Sequence, residues 1–154
     1  WVILAGYVAG ALLRGLMVGA VVLAVSLFFT PIEVQHPLVM LSVLLLTAIV
    51  FALAGMVNAI FAQKFDDIAI IPTFVLAPLT YLGGVFYSIS LLPEFWQGVS
   101  VFNPILYMVN GFRYGMLGVS DVSLALSYGV ILTAGAVLFA WCLYLLHRGT
   151  GLRS

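Results

Sequence analysis

The side chains in this sequence that could do chemistry are few and scattered. Asp66 and Asp67 form an adjacent carboxylate pair, which could in principle hold a divalent cation. Their position, immediately before an apolar run, suits helix capping better, and that is the reading adopted. His36 and His147 flank different apolar runs and read as interface residues rather than as an acid–base pair. Cys142, the single cysteine, lies inside an apolar run with no partner and no ligand spacing, so it reads as a small hydrophobe. Asn58 is the one strongly polar side chain deep in an apolar run, and an interhelical hydrogen bond is its expected role. Arg113 stands in a segment rich in Asn, Gly and Tyr, where a cation can pair with Glu94 or Asp121, meet lipid headgroups or contact an anionic substrate. Pairing is preferred.

There is no G-x-x-x-x-G-K-[ST] loop, so ATP is not expected to bind this chain through a P-loop. No Cys/His cluster and no plausible Ser-His-Asp set occurs either, and no cofactor or metal site is expected.

The elements that must position these residues are set by composition. Apolar residues make up 65% of the chain and charged residues only 6%, against about a quarter charged in a soluble domain. The expected fold class is therefore all-α, a polytopic helical membrane protein. A net charge of zero gives no basis for nucleic-acid binding. The start at Trp1 reads as a piece of a longer protein.

The first apolar run, Trp1 to Thr30, contains one charge, Arg14. As a single helix it would be about 45 Å long against a hydrocarbon core of about 30 Å. A division between Gly10 and Gly15 is therefore expected, giving an interfacial helix over 1–13 and a span over 15–30, with one strongly tilted helix as the alternative. Further spans are expected over 38–62, 68–90 and 122–146. Pro72, Pro78 and Gly83-Gly84 are expected to kink the third.

With four spans, Arg14, Lys64, Arg148 and Arg153 share one side and Arg113 has the other, so the first side reads as cytoplasmic. The segment 92–118 is then outside, too apolar for a solvated loop and too interrupted for a span. Pro93 and Pro104 suit first-turn positions of two short helices, which could lie in the interface or re-enter the membrane. On the second of these, Ile105, Met108, Val109, Phe112 and Met116 share one face, with Asn103, Tyr107, Asn110 and Tyr114 opposite. Glycines recur at spacing four in Gly6/Gly10, Gly15/Gly19 and Gly111/Gly115, a pattern that permits close helix approach.

An ordered series of motifs resembles the ABC-2 type transporter permeases: Leu92-Pro93-Glu94-Phe95-Trp96-Gln97-Gly98, Asn103-Pro104 and Asn110-Gly111-Phe112-Arg113-Tyr114-Gly115. Asp66-Asp67-Ile68, Pro72-Thr73-Phe74, the run from Pro78 to Tyr87, and terminal Arg148-Gly149 and Gly151-Leu152-Arg153-Ser154 are similar more specifically to YadH-type bacterial inner-membrane permeases.

The resemblance implies six spans per subunit, a homodimer in membrane lipid, and a separate ATP-binding cassette ATPase subunit that carries the ATP. This chain would supply the last four spans of an exporter subunit, with its C-terminus cytoplasmic. It further implies that the region of Trp1, Tyr7 and Arg14 couples to the ATPase, with Lys64, Asp66 and Asp67 in a cytoplasmic loop. Asn103, Pro104, Tyr107, Asn110, Gly111, Arg113 and Gly115 would form a re-entrant gate at the exit. Many family members carry an acidic residue where Asn110 stands. The readings from other classes are a non-transporting membrane scaffold or assembly factor and an ion-coupled secondary transporter. The spans hold no acidic group for the latter.

Overall fold

A computed structural model describes residues 1–82, 93–120 and 122–149. Every regular element among them is helical. The helices are α1 (Val2–Phe29), α2 (Pro37–Phe61), α3 (Phe65–Leu82), α4 (Glu94–Val101), α5 (Pro104–Leu117) and α6 (Leu124–Arg148). Four of them, α1, α2, α3 and α6, are long and apolar enough to cross a membrane. The expected end of the third span at 83–90, with Gly83-Gly84, lies outside the described residues, as do Leu92, Asp121 and Arg153.

The break expected between Gly10 and Gly15 is absent, because Val2–Phe29 is one continuous helix of 28 residues. A glycine in a helix interior costs about 1 kcal/mol, whereas each backbone group left unpaired in hydrocarbon costs several. Continuity wins, and the excess length is taken up by tilt or protrusion. Arg14 is exposed on this helix. With Phe29 at one boundary of the bilayer core, Arg14 lies about 22 Å along the axis, within snorkelling reach of the other.

Helix α2 starts at Pro37, where a missing N–H costs nothing. Helix α3 contains a π-helical turn over Pro72–Leu76. Pro72 has no N–H to offer Ile68 O four residues back. That carbonyl is taken instead by Asn58 Nδ2 of α2, at 2.9 Å. Asn58 thus makes the interhelical bond expected of it, and its partner is the acceptor that the proline leaves open. Downstream of Pro72, the amide of Ala77 reaches back five residues to Pro72 O.

Two apolar clusters hold the bundle. One joins Leu4 of α1 to Leu53, Met56 and Val57 of α2 and to Cys142 and Leu145 of α6. The other joins Val43 and Val50 of α2 to Ile105 and Met108 of α5 and Ile131 of α6. The first fixes one end of the molecule, where the start of α1, the end of α2 and the end of α6 meet. The second places α5 beside the opposite half of α2. Ser42 of α2 and the Tyr128 hydroxyl of α6 add a side-chain hydrogen bond between these spans.

Candidate functional site around helix 104–117

Helix α5 is built by its own capping residues. Asn103 is its N-cap, with Oδ1 accepting from the Ile105 amide at 3.0 Å, and Pro104 follows at the first helical position. Asn103 Nδ2 donates to Leu79 O of α3 at 2.6 Å, so one side chain starts a helix and tethers a span. The Tyr107 hydroxyl donates to Val101 O at 2.7 Å and ties α5 to the end of α4. Gly118, at φ 73°, closes the helix in the left-handed conformation that glycine adopts most readily.

Asn110 is 2% exposed. Its Nδ2 donates to Val122 O at 2.9 Å and to Ser127 Oγ at 3.0 Å, while Oδ1 accepts from the Val122 amide at 3.3 Å. It therefore fixes the entry of α6. The face of Asn103, Tyr107 and Asn110, opposite Ile105 and Met108 as the spacing places them, is not a solvent face: all three residues are buried. Their polar atoms bond to neighbouring helices and loops instead of water, so polarity along α5 does not mark exposure.

The two glycines bring α5 against α2. A Cβ on Gly115 would stand 2.6 Å from the Met40 amide nitrogen and 2.7 Å from its Cα. One on Gly111 would meet Val43 Cγ2 at 3.0 Å. The Gly111/Gly115 pair thus serves close approach as its spacing suggested. The other two pairs do not do so against the described residues: among them, nothing lies within 4 Å of a Cβ on Gly6, Gly10, Gly15 or Gly19.

Since Gly115 faces Met40 while Gly111 faces Val43, α5 runs antiparallel to α2. Its last carbonyls meet the loop before α2: the His36 amide donates to Gly115 O at 2.8 Å and the Gln35 amide to Met116 O at 3.2 Å. These bonds satisfy acceptors that a helix end leaves open. The His36 ring stacks on Tyr114 with centroids 4.9 Å apart and planes 5° from parallel. No motif announced this strap; only Pro37, which fixes where α2 begins, limits where the loop can lie.

The other face of α5 forms one wall of a groove of about 510 Å³, with α2 as the other wall. Leu44, Thr47 and Phe51 face Met108, Phe112 and Arg113 across it. Arg113 is half-buried. Of the two carboxylates expected as its partner, Glu94 is exposed at the start of α4 and Asp121 lies outside the described residues.

The remaining candidate residues lie toward the far end of the molecule. Trp1 is 83% exposed, and the Tyr7 hydroxyl packs beside Gly55 of α2. Trp1, Tyr7 and Arg14 are strung along α1 and share no contact. At the start of α3, Asp67 Oδ2 accepts from the amides of Gln63 and Lys64 at 3.1 and 3.0 Å, the capping role expected for this acid. Asp66 and Lys64 are exposed. At the end of α6, the Arg148 guanidinium lies 4.6 Å from the Tyr144 ring centre.

Apolar helices of spanning length, and a short helix wedged between two of them, define a multi-pass membrane protein. Residues 1–117 match the ABC-2 type transporter family profile, and the chain belongs to that family. It is 55% identical over 153 residues to the inner membrane transport permease YadH of Escherichia coli K12, covering 99% of this chain and 60% of that protein. It is 30% identical over 108 residues to nodulation protein J of Rhizobium leguminosarum bv. viciae, covering 70% of this chain and 42% of the relative. The chain thus spans about 60% of the length of the YadH proteins it matches. No solved structure matches it.

Proposed function

We propose that this chain is the larger part of the membrane-spanning subunit of an ABC exporter in a bacterial inner membrane, working as a homodimer with a separate cassette ATPase. Family membership and 55% identity to an inner membrane transport permease support the transport reading. The observation that carries it to a mechanism is the docking of α5 between α2 and α6, at the end of the bundle opposite Lys64 and Arg148. Under the positive-inside rule the Lys64 and Arg148 end is cytoplasmic and α5 re-enters from the outer face.

In this arrangement α1 is the element that meets the ATPase, through the region of Trp1, Tyr7 and Arg14. Its continuity lets a push at the cytoplasmic end reach the loop at Gln35 and His36, whose amides hold the end of α5. Nucleotide shifts the permease between two states only through unequal affinity for them. The ATP stays on the partner subunit.

The test uses the intact permease reconstituted in vesicles with a cassette ATPase from the same cell. Substrate-stimulated ATP hydrolysis that needs both proteins is the expected result. Hydrolysis by the permease alone, or transport that follows an ion gradient and ignores ATP depletion, overturns the assignment.

A further inference from the structure

The groove between α2 and α5 is closed in chemistry at one end and apolar along its length. Arg113 and Thr47 are the polar residues on its walls; Leu44, Phe51, Met108, Phe112, Met116 and Leu117 are among those that supply apolar surface. Depth along α2 follows from the glycine contacts. Arg113 sits between Gly111, which faces Val43, and Gly115, which faces Met40. It is therefore about 7 Å down the axis from Pro37, while Phe51 is about 21 Å down. From Arg113 the groove runs about 14 Å inward to Phe51, close to half of a hydrocarbon core of about 30 Å, with Met116 and Leu117 lining it on the other side of Arg113. A guanidinium at that level reaches the interface by snorkelling.

We propose that this groove binds one acyl chain of an anionic phospholipid from the outer leaflet, with Arg113 contacting the headgroup phosphate. The match has three parts. A cavity one leaflet deep takes one chain and not a membrane-spanning helix. Its apolar walls suit hydrocarbon. The positive charge stands only at the headgroup end, so the lipid is oriented as well as held. The lipid is a resident of the fold and not the cargo, because α5 is fixed to α2 and α6 by the contacts at Gly115 and Asn110. A lipid chain filling the groove supports the face of α5 that the described residues leave open.

This inference rests on the orientation given above but not on the transport assignment, and its test needs no ATPase. The intact permease is purified, delipidated and titrated with phosphatidylglycerol and with phosphatidylcholine of identical chains, with bound lipid counted by native mass spectrometry. One phosphatidylglycerol per permease copy is expected to survive, with a preference over phosphatidylcholine of about fivefold that Arg113→Gln abolishes and Arg113→Lys keeps. Val109→Trp, which fills the groove wall, should lower retention of both lipids.

A phosphatidylglycerol with a photoreactive group at the chain end should label the peptide containing Ile105 and Met108. Equal retention of the two lipids, an Arg113→Gln variant that keeps the preference, or label confined to α1 and α3 overturns the proposal. So does protection of Phe51→Cys from alkylation in the delipidated protein, since Phe51 is 38% exposed on the groove wall and a protein segment lying there would cover it. Should Val109→Trp fail to fold, the Arg113 pair and the label position still decide.

Discussion

The bond from Asn58 to Ile68 O gives the most discriminating prediction, because the structure says why it exists. Pro72 removes the amide that would otherwise serve Ile68 O, and Asn58 Nδ2 supplies the missing donor at 2.9 Å. Asn58→Leu should therefore leave a carbonyl unsatisfied. A buried acceptor without a partner costs about 1–3 kcal/mol, but side-chain bonds between membrane helices average nearer 0.6 and reach about 1.7. Asn58 is half-buried near the end of α2, so we expect about 1 kcal/mol, or a fall in Tm of about 2–4 °C.

In a Pro72→Ala background the helix can donate its own amide to Ile68 O and revert from π to α geometry. The Asn58→Leu penalty should then nearly vanish. The assay is a double-mutant cycle on the intact permease in one detergent, followed by thermal unfolding, with a coupling of about 1 kcal/mol expected. Equal penalties in the two backgrounds refute the argument, whatever the size of either single effect.

Gly115→Ala should lower Tm by about 5–10 °C, since overpacking costs about 1–3 kcal/mol and here the obstacle is the Met40 backbone, which cannot rotate away. Gly111→Ala should cost less, because Val43 Cγ2 can shift, and Gly129→Ala, with nothing within 4 Å, should be neutral or slightly stabilising; any other order in thermal unfolding contradicts the packing. Asn110→Leu should cost about 1–3 kcal/mol by removing the bonds to Val122 and Ser127, read as destabilisation with α6 still inserted. Cys142, fully buried with Sγ on Leu53 O, should resist a membrane-permeant maleimide until the protein is denatured; fast labelling of the native protein would contradict the cluster joining α1, α2 and α6.

The spans were legible because a run of apolar residues has few other uses. Asn58 was legible too, since an amide in an apolar helix must find a partner, although its link to Pro72 required seeing α2 beside α3. The Gly10–Gly15 break was misread: bilayer thickness was treated as a limit on helix length, when tilting a helix costs less than opening its backbone ladder. The two faces of α5 were legible, but the partners of the polar one were not: Asn103, Tyr107 and Asn110 bond to backbone of α3, α4 and the entry of α6, which spacing along one helix does not name. Three glycine pairs share one spacing, and among the described residues only Gly111/Gly115 meets a neighbour. Spacing states what a helix permits. It does not name what approaches.

The three anchors of α5 also impose an order in time. Met40, which receives Gly115, and Leu79, which receives Asn103, are already synthesised when α5 leaves the ribosome. Val122 and Ser127, which receive Asn110, are not. At about 5–20 residues per second, about 0.5–2 s separate the end of α5 from the synthesis of Ser127. During that interval the bonds from Asn110 to Val122 and Ser127 are unmade, and α5 rests on its contacts with α2 and α3. A chain stalled at Leu117 lacks those bonds. Reaching Ser127 supplies them, so α6 is the element that completes the end of the bundle holding α5.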